Sequence, residues 1–252
     1  MDHLLINFWL LSLLFGMVAF LYSSVGLAGG SSYIALLTIF GASYVVIPTI
    51  SLAMNILVST IGTVNYFRGR HARIRLIAPF LISSIPMAYL GGTVRLPAHL
   101  FNILLIVFLA VVALRIYLFN QFSLRWQLRA SSKILVSLLI GLILGFISGA
   151  LGLGGGIYLI PLIILLGLGT VKEAAACGSL FIWVNSAAGL AARLNHQPLP
   201  DIGILPLLVC VGIGGYAGSF LGANRFQPRT MQRLLGVIVL IAIVFLLKKT
   251  FM

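Results

Sequence analysis

The sequence predicts an all-α integral membrane protein built from two internal repeats. Three observations carry that prediction: charge confined to short clusters, uncharged stretches long enough to span a bilayer, and glycine-rich interruptions at matching places in the two halves. Charged residues make up 8% and apolar residues 61% of the 252 residues, with a mean hydropathy of +1.18. An average soluble domain carries roughly 25% and 45–50%. The bilayer is therefore the expected solvent for most of the chain.

The elements follow in order. No Asp, Glu, Lys or Arg occurs from His3 to Phe67, which leaves room for three elements at about 20 residues per crossing. Leu4–Tyr22 reads as a full helix, interrupted by Ser23-Ser24-Val25-Gly26-Leu27-Ala28-Gly29-Gly30-Ser31-Ser32. Ser32–Phe40 is apolar but short, about 14 Å at 1.5 Å per residue. Gly41 and Pro48 flank the start of the next helix, which runs to Phe67. After the cluster Arg68, Arg70, Arg73 and Arg75 come two more uncharged stretches, Leu76–Val94 and Leu96–Leu114. The second half repeats the plan: Leu135–Ile147, the interruption Ser148-Gly149-Ala150-Leu151-Gly152-Leu153-Gly154-Gly155-Gly156, and a short segment Ile157–Leu166. Gly167 and Gly169 precede a helix from Glu173 to Ala192, with Ile202–Asn224 and Leu234–Leu247 completing the half.

The halves, residues 1–124 and 125–252 of a single domain, align at an offset of about 126 residues. Gly26, Gly29 and Gly30 fall on Gly152, Gly155 and Gly156; Ser51-Leu52 meets Ser179-Leu180, Gly62 meets Gly189, Pro79 meets Pro206 and Gly91 meets Gly222. Each repeat is expected to hold four full transmembrane helices and one short, Gly-interrupted helix. If the short segments cross, the count per half is odd and the repeats are inverted; if they only re-enter, the repeats are parallel. Lys and Arg in the loops divide almost evenly between these topologies. The absence of Lys and Arg before the first helix favours an outside N-terminus and so the inverted arrangement.

The net charge of +13 does not point to nucleic acid, because the basic residues sit in loops rather than along one face. Cys177 and Cys210 lie in apolar stretches without a CxxC, so no disulfide framework is expected. The N-terminal run lacks the basic start of a signal peptide and reads as a membrane helix. HExxH, GxSxG and Walker A motifs are absent, and three acids spread over the chain offer no carboxylate cluster, so neither an enzyme nor a cofactor is expected. His71, His99 and His196 have no partner at metal-ligand spacing.

Backbone that leaves helical geometry inside a membrane must be served by protein or water, so a broken helix at depth lines a cavity. The following helix presents free N–H groups and a partial positive charge, and glycine lets an anion come close. Gly26, Gly29, Gly30 and Ser31 are thus one candidate half-site, and Gly154, Gly155 and Gly156 the other. Such paired, interrupted segments mark the binding site in duplicated transporters. The competing role of any single glycine is close helix packing. Ser51 and Asn55, four apart on one helix face, and Ser179 and Asn185 on the counterpart helix are candidates to line the site; their competing role is interhelical hydrogen bonding. Asn55 and Asn185 do not align, so they form no symmetric pair. Glu173 sits where a helix starts and reads as a cap, with proton coupling as the alternative. Replacing Gly155 by Leu is expected to abolish flux and leave expression intact.

At the glycine clusters the sequence resembles the TauE/SafE, or sulfite-exporter, family of membrane permeases. The likeness covers essentially the whole chain. It is closest in the second half, at Gly152-Leu153-Gly154-Gly155-Gly156, Pro161, Ser179-Leu180 and Gly189. The first half departs from the pattern: Ala28 replaces the first glycine of the triplet, Ser31 extends the polar turn, and Ala35 stands at the position of Pro161. Unequal half-sites are therefore expected. The resemblance implies transport of sulfur-containing anions such as sulfite, sulfoacetate or related organosulfonates across a bacterial inner membrane. A secondary transporter working by alternating access is the leading expectation. An anion channel with the same elements, or a membrane scaffold whose glycines serve packing alone, are the alternatives.

Overall fold

The computed structural model describes residues 2–40, 42, 46–94, 97, 103, 130–195 and 205–227, with isolated residues from 229 to 244. Among these it forms eight helices and no strand. They are α1 (Asp2–Ser23), α2 (Gly30–Ile39), α3 (Ile47–Arg68), α4 (Ile74–Thr93), α5 (Ala130–Leu151), α6 (Gly156–Leu165), α7 (Val171–Leu194) and α8 (Leu205–Asn224). The expected elements at Leu96–Leu114 and Leu234–Leu247 fall almost wholly outside the described residues, as does the boundary between the halves.

Five helices, α3, α4, α5, α7 and α8, are long and apolar enough to cross a bilayer, and α1 adds an apolar stretch at Leu10–Ser23. α2 and α6 hold 10 residues each, about half a membrane thickness. Local chemistry sets the ends. Pro48 stands in the first turn of α3, where its missing N–H costs nothing. α7 opens with a capping box: Glu173 N–H donates to Thr170 Oγ1 at 3.3 Å, and Thr170 N–H donates to Glu173 Oε2 at 2.7 Å.

Glycine seams set the packing. α4 and α5 run parallel, with Gly141, Gly145 and Gly149 facing the backbone of Phe80, Ser84 and Ala88. A Cβ added at Gly145 would stand 2.5 Å from Ser84 Cα, so a larger residue would force the helices apart. α1 and α8 meet in the same way: Gly214, Gly218 and Gly222 face Gly16, Phe20 and Ser24. At the centre α3 and α7 run antiparallel, because Gly62 lies beside Ser179 while Leu52 lies beside Gly189. The halves are thus interleaved, α1 lying along α8 and α4 along α5.

Polarity is distributed as a membrane requires. Leu10, Leu13, Met17, Leu135, Leu139 and Ile213 are exposed on the outside, while Ser12, Ser24, Ser51, Asn55, Ser148, Asn185 and Ser186 are fully buried.

Candidate functional site

Two breaks interrupt the helices inside the bundle. The first runs from the end of α1 at Ser23 to the start of α2 at Gly30, and turns on Gly26 (φ 82°) and Gly29 (φ 104°). The second runs from Leu151 to Gly156, with Gly152, Gly154 and Gly155 all at φ 74°. Gly155 is the N-cap of α6 and no side chain caps that helix. A left-handed N-cap free of a side chain is accessible to glycine and strained for other residues.

Both short helices start at the same depth. A Cβ at Gly30 would stand 2.6 Å from Asn55 Nδ2 and 3.0 Å from Leu153 O. One at Gly154 would stand 3.0 Å from Ser186 Oγ and 3.2 Å from Asn55 Nδ2. Asn55, near the middle of α3, therefore touches both breaks. α2 leads back to the start of α3, and α6 to the start of α7. Since α3 and α7 are antiparallel, the short helices run outward to opposite ends, and their positive N-termini face each other at the centre.

The breaks are clamped crosswise. Ser51 on α3 donates to Gly152 O in the second break at 3.0 Å and to Gly30 O at 3.3 Å. Ser179 on α7 donates to Gly26 O in the first break at 3.1 Å. Gly29, Gly30, Ser31, Asn55, Gly154, Gly155 and Gly156 gather near the centre, as the sequence suggests. Ser179 and Gly26 lie about two helical turns away, beside Gly62, and serve as a clamp rather than as lining. Asn185 turns its Nδ2 back to Phe181 O of its own helix at 2.8 Å.

Several polar atoms at this depth lack partners. Asn55 Oδ1, Ser148 Oγ, Asn185 Oδ1 and Ser186 Oγ are buried and accept or donate no hydrogen bond among the described residues. Each such atom costs roughly 1–3 kcal/mol unless a ligand or water serves it. Beside them opens a small cleft, lined by Tyr22, Gly29, Gly30 and Ser31 on one side and Leu153, Ile157 and Ile182 on the other. Tyr22 OH shares hydrogen bonds with Ser31 Oγ at 3.2 Å and Ser32 Oγ at 2.8 Å. Ile182 packs over Gly156 where Asn55 packs over Gly30, so the surroundings of the two short-helix starts are chemically unequal. Tyr22, Ser148 and Ile182 escaped the sequence reading. Tyr22 and Ser148 each open a break, a position that could have found them; Ile182 belongs to a helix face that only the fold brings there.

Charge stays at the ends. Arg73 meets Glu173 at 3.4 Å, and both His71 Nε2 and Lys172 Nζ lie 3.0 Å from Ala223 O. Among the described residues no Lys or Arg is buried, and no group of His, Cys, Asp or Glu is placed to hold a metal ion. Any anion at the centre would meet helix N-termini and side-chain donors instead of a cation.

The sequence profile of the sulfite exporter TauE/SafE family matches residues 11–246. The chain belongs to the TauE/SafE family. It is also 32% identical over 243 residues to a protein of Sinorhizobium fredii (strain NBRC 101917 / NGR234) named probable membrane transporter protein y4hK, covering 92% of this chain and 95% of that relative. No solved structure matches it. This TauE/SafE protein is accordingly a multi-pass membrane transporter.

Proposed function

We propose that the chain is a secondary carrier of small sulfur-containing anions, sulfite, sulfoacetate or a related organosulfonate, working by alternating access in a bacterial inner membrane. The observation that carries this reading is the meeting of two helix N-termini at a buried centre where, among the described residues, no Lys or Arg lies and several polar atoms have no partner. Helix N-termini bind oxyanions through free N–H groups, and glycine permits close approach. The family's name supplies the sulfur chemistry. Support for inverted repeats comes from the antiparallel crossing of the aligned helices α3 and α7 and from the reciprocal clamps of Ser51 and Ser179. Alternating access in such folds is a rocking of one repeat against the other around a fixed central site. Glu173 is assigned to helix capping rather than to proton transfer, since its carboxylate already serves Thr170 and Arg73.

The test is counterflow of radiolabelled sulfite in proteoliposomes, with sulfate, thiosulfate, sulfoacetate and taurine as competitors. Saturable exchange inhibited by some of these supports the carrier. A non-saturating leak indicates a channel, and no flux from folded protein removes the substrate assignment.

A further inference from the structure

Tyr66 and Arg193 make the same contact in the two halves. Tyr66, near the end of α3, donates through its hydroxyl to Ser24 O at 2.8 Å and Ser23 O at 3.4 Å. Arg193, near the end of α7, donates through one guanidinium nitrogen to Ala150 O at 2.9 Å and Gly149 O at 3.2 Å. The partners correspond: Ser23 and Ser24 precede the first break as Gly149 and Ala150 precede the second, at the offset of 126 that relates Gly26 to Gly152. Tyr66 and Arg193 are separated by 127, the spacing that relates Gly62 to Gly189. A basic residue near carbonyls at a helix end is common by itself. Two different side chains at matching positions, each gripping the same pair of matching carbonyls, are not explained by that habit.

The two grips differ in strength. A guanidinium facing the negative end of a helix makes charge-assisted hydrogen bonds, about twice as strong as those of a neutral phenol. Tyr66 is fully buried and Arg193 half-buried. Because α3 and α7 are antiparallel, the grips lie at opposite ends of the molecule.

We propose that Tyr66 and Arg193 are paired positioning residues that hold the two glycine-rich breaks from opposite ends, and that the charged one makes the second break the stiffer half of the site. Neither residue touches the cleft; each acts through the backbone that leads into it. The second break is then the fixed wall of the site, and the first, hung from a phenol and carrying Ser31, is the wall that yields. This inference builds on the reading of the breaks as half-sites, but its first readout needs no substrate.

Hydrogen exchange of the purified protein in lipid nanodiscs tests it, comparing residues 23–30 with residues 149–156. In the native protein the second segment exchanges more slowly. Tyr66→Phe speeds exchange in 23–30 by about 5-fold, the loss of one neutral hydrogen bond, and leaves 149–156 unchanged. Arg193→Leu speeds exchange in 149–156 by about 10-fold or more and leaves 23–30 unchanged. Arg193→Tyr, which borrows the solution of the other half, brings that rise down to the level of Tyr66→Phe. In sulfite counterflow the same variants raise KM with little change in the maximal rate. Exchange that rises evenly over the chain, or Arg193→Tyr behaving like Arg193→Leu, overturns the proposal. If Arg193→Leu does not fold, Tyr66→Phe and Arg193→Tyr decide alone. A native protein that moves no sulfite strikes the substrate reading and leaves the exchange result to judge the positioning.

Discussion

Asn55 is the residue on which the two breaks converge, and its buried Oδ1 has no partner among the described residues. Asn55→Leu removes a costly polar atom, so the empty protein is expected to hold or gain stability while its stabilisation by added sulfite disappears; a thermal shift with and without sulfite checks both. Gly155 calls for a gentler change than leucine. Even a Cβ there would stand 2.8 Å from the Phe181 ring and occupy φ 74°, so a large side chain would damage the fold along with the site. Gly155→Ala should cost about 1–3 kcal/mol in strain, read as a lowered Tm, together with loss of flux. The two glycine breaks were legible because an interruption inside an apolar stretch has few physical explanations. Ile182 was not, since its place beside the cleft depends on α7 folding onto both breaks. No local pattern reports a contact between residues so far apart in sequence.

At the scale of elements, the short helices were legible from length alone, whereas the glycines divide in a way that composition hides. Gly141, Gly145 and Gly149, and likewise Gly214, Gly218 and Gly222, recur every four residues and form seams. Gly29, Gly30 and Gly154 to Gly156 belong to the two breaks and are the glycines of the proposed site. The spacing was visible in the sequence, but which helix each seam faces was not. Gly145→Leu is expected to abolish the close approach of α4 and α5, seen as loss of monodisperse protein on size exclusion. Gly212→Ala is the matched control: its Cβ would meet only Leu57 Cδ2, at 3.8 Å, and Tm should change little. Helix propensity favours alanine there by about 0.5–1 kcal/mol, so any small change in Tm is upward.

For the molecule as a whole, the proposed inverted arrangement makes a directional prediction. Arg70, beyond the end of α3, and Asn195, at the end of α7, are both exposed and should lie on opposite faces of the membrane. In a background without Cys210, cysteines at these two positions should react with an impermeant reagent from opposite sides of oriented vesicles. Labelling from the same side would defeat the inverted topology. Loop charge could not settle this beforehand, because arginines flank both ends of the bundle; the antiparallel contact of α3 with α7 bears on it directly. The interleaving of the halves also has a consequence for biosynthesis. Gly16 on α1 rests against Gly214, so α1 leaves the ribosome and finds its main neighbour only after 198 further residues have been made. At roughly 5–20 residues per second that is a wait of about 10–40 s. During that interval the nascent chain sits in the membrane with its seams open, dependent on lipid or insertion machinery to shield them until the last helices arrive.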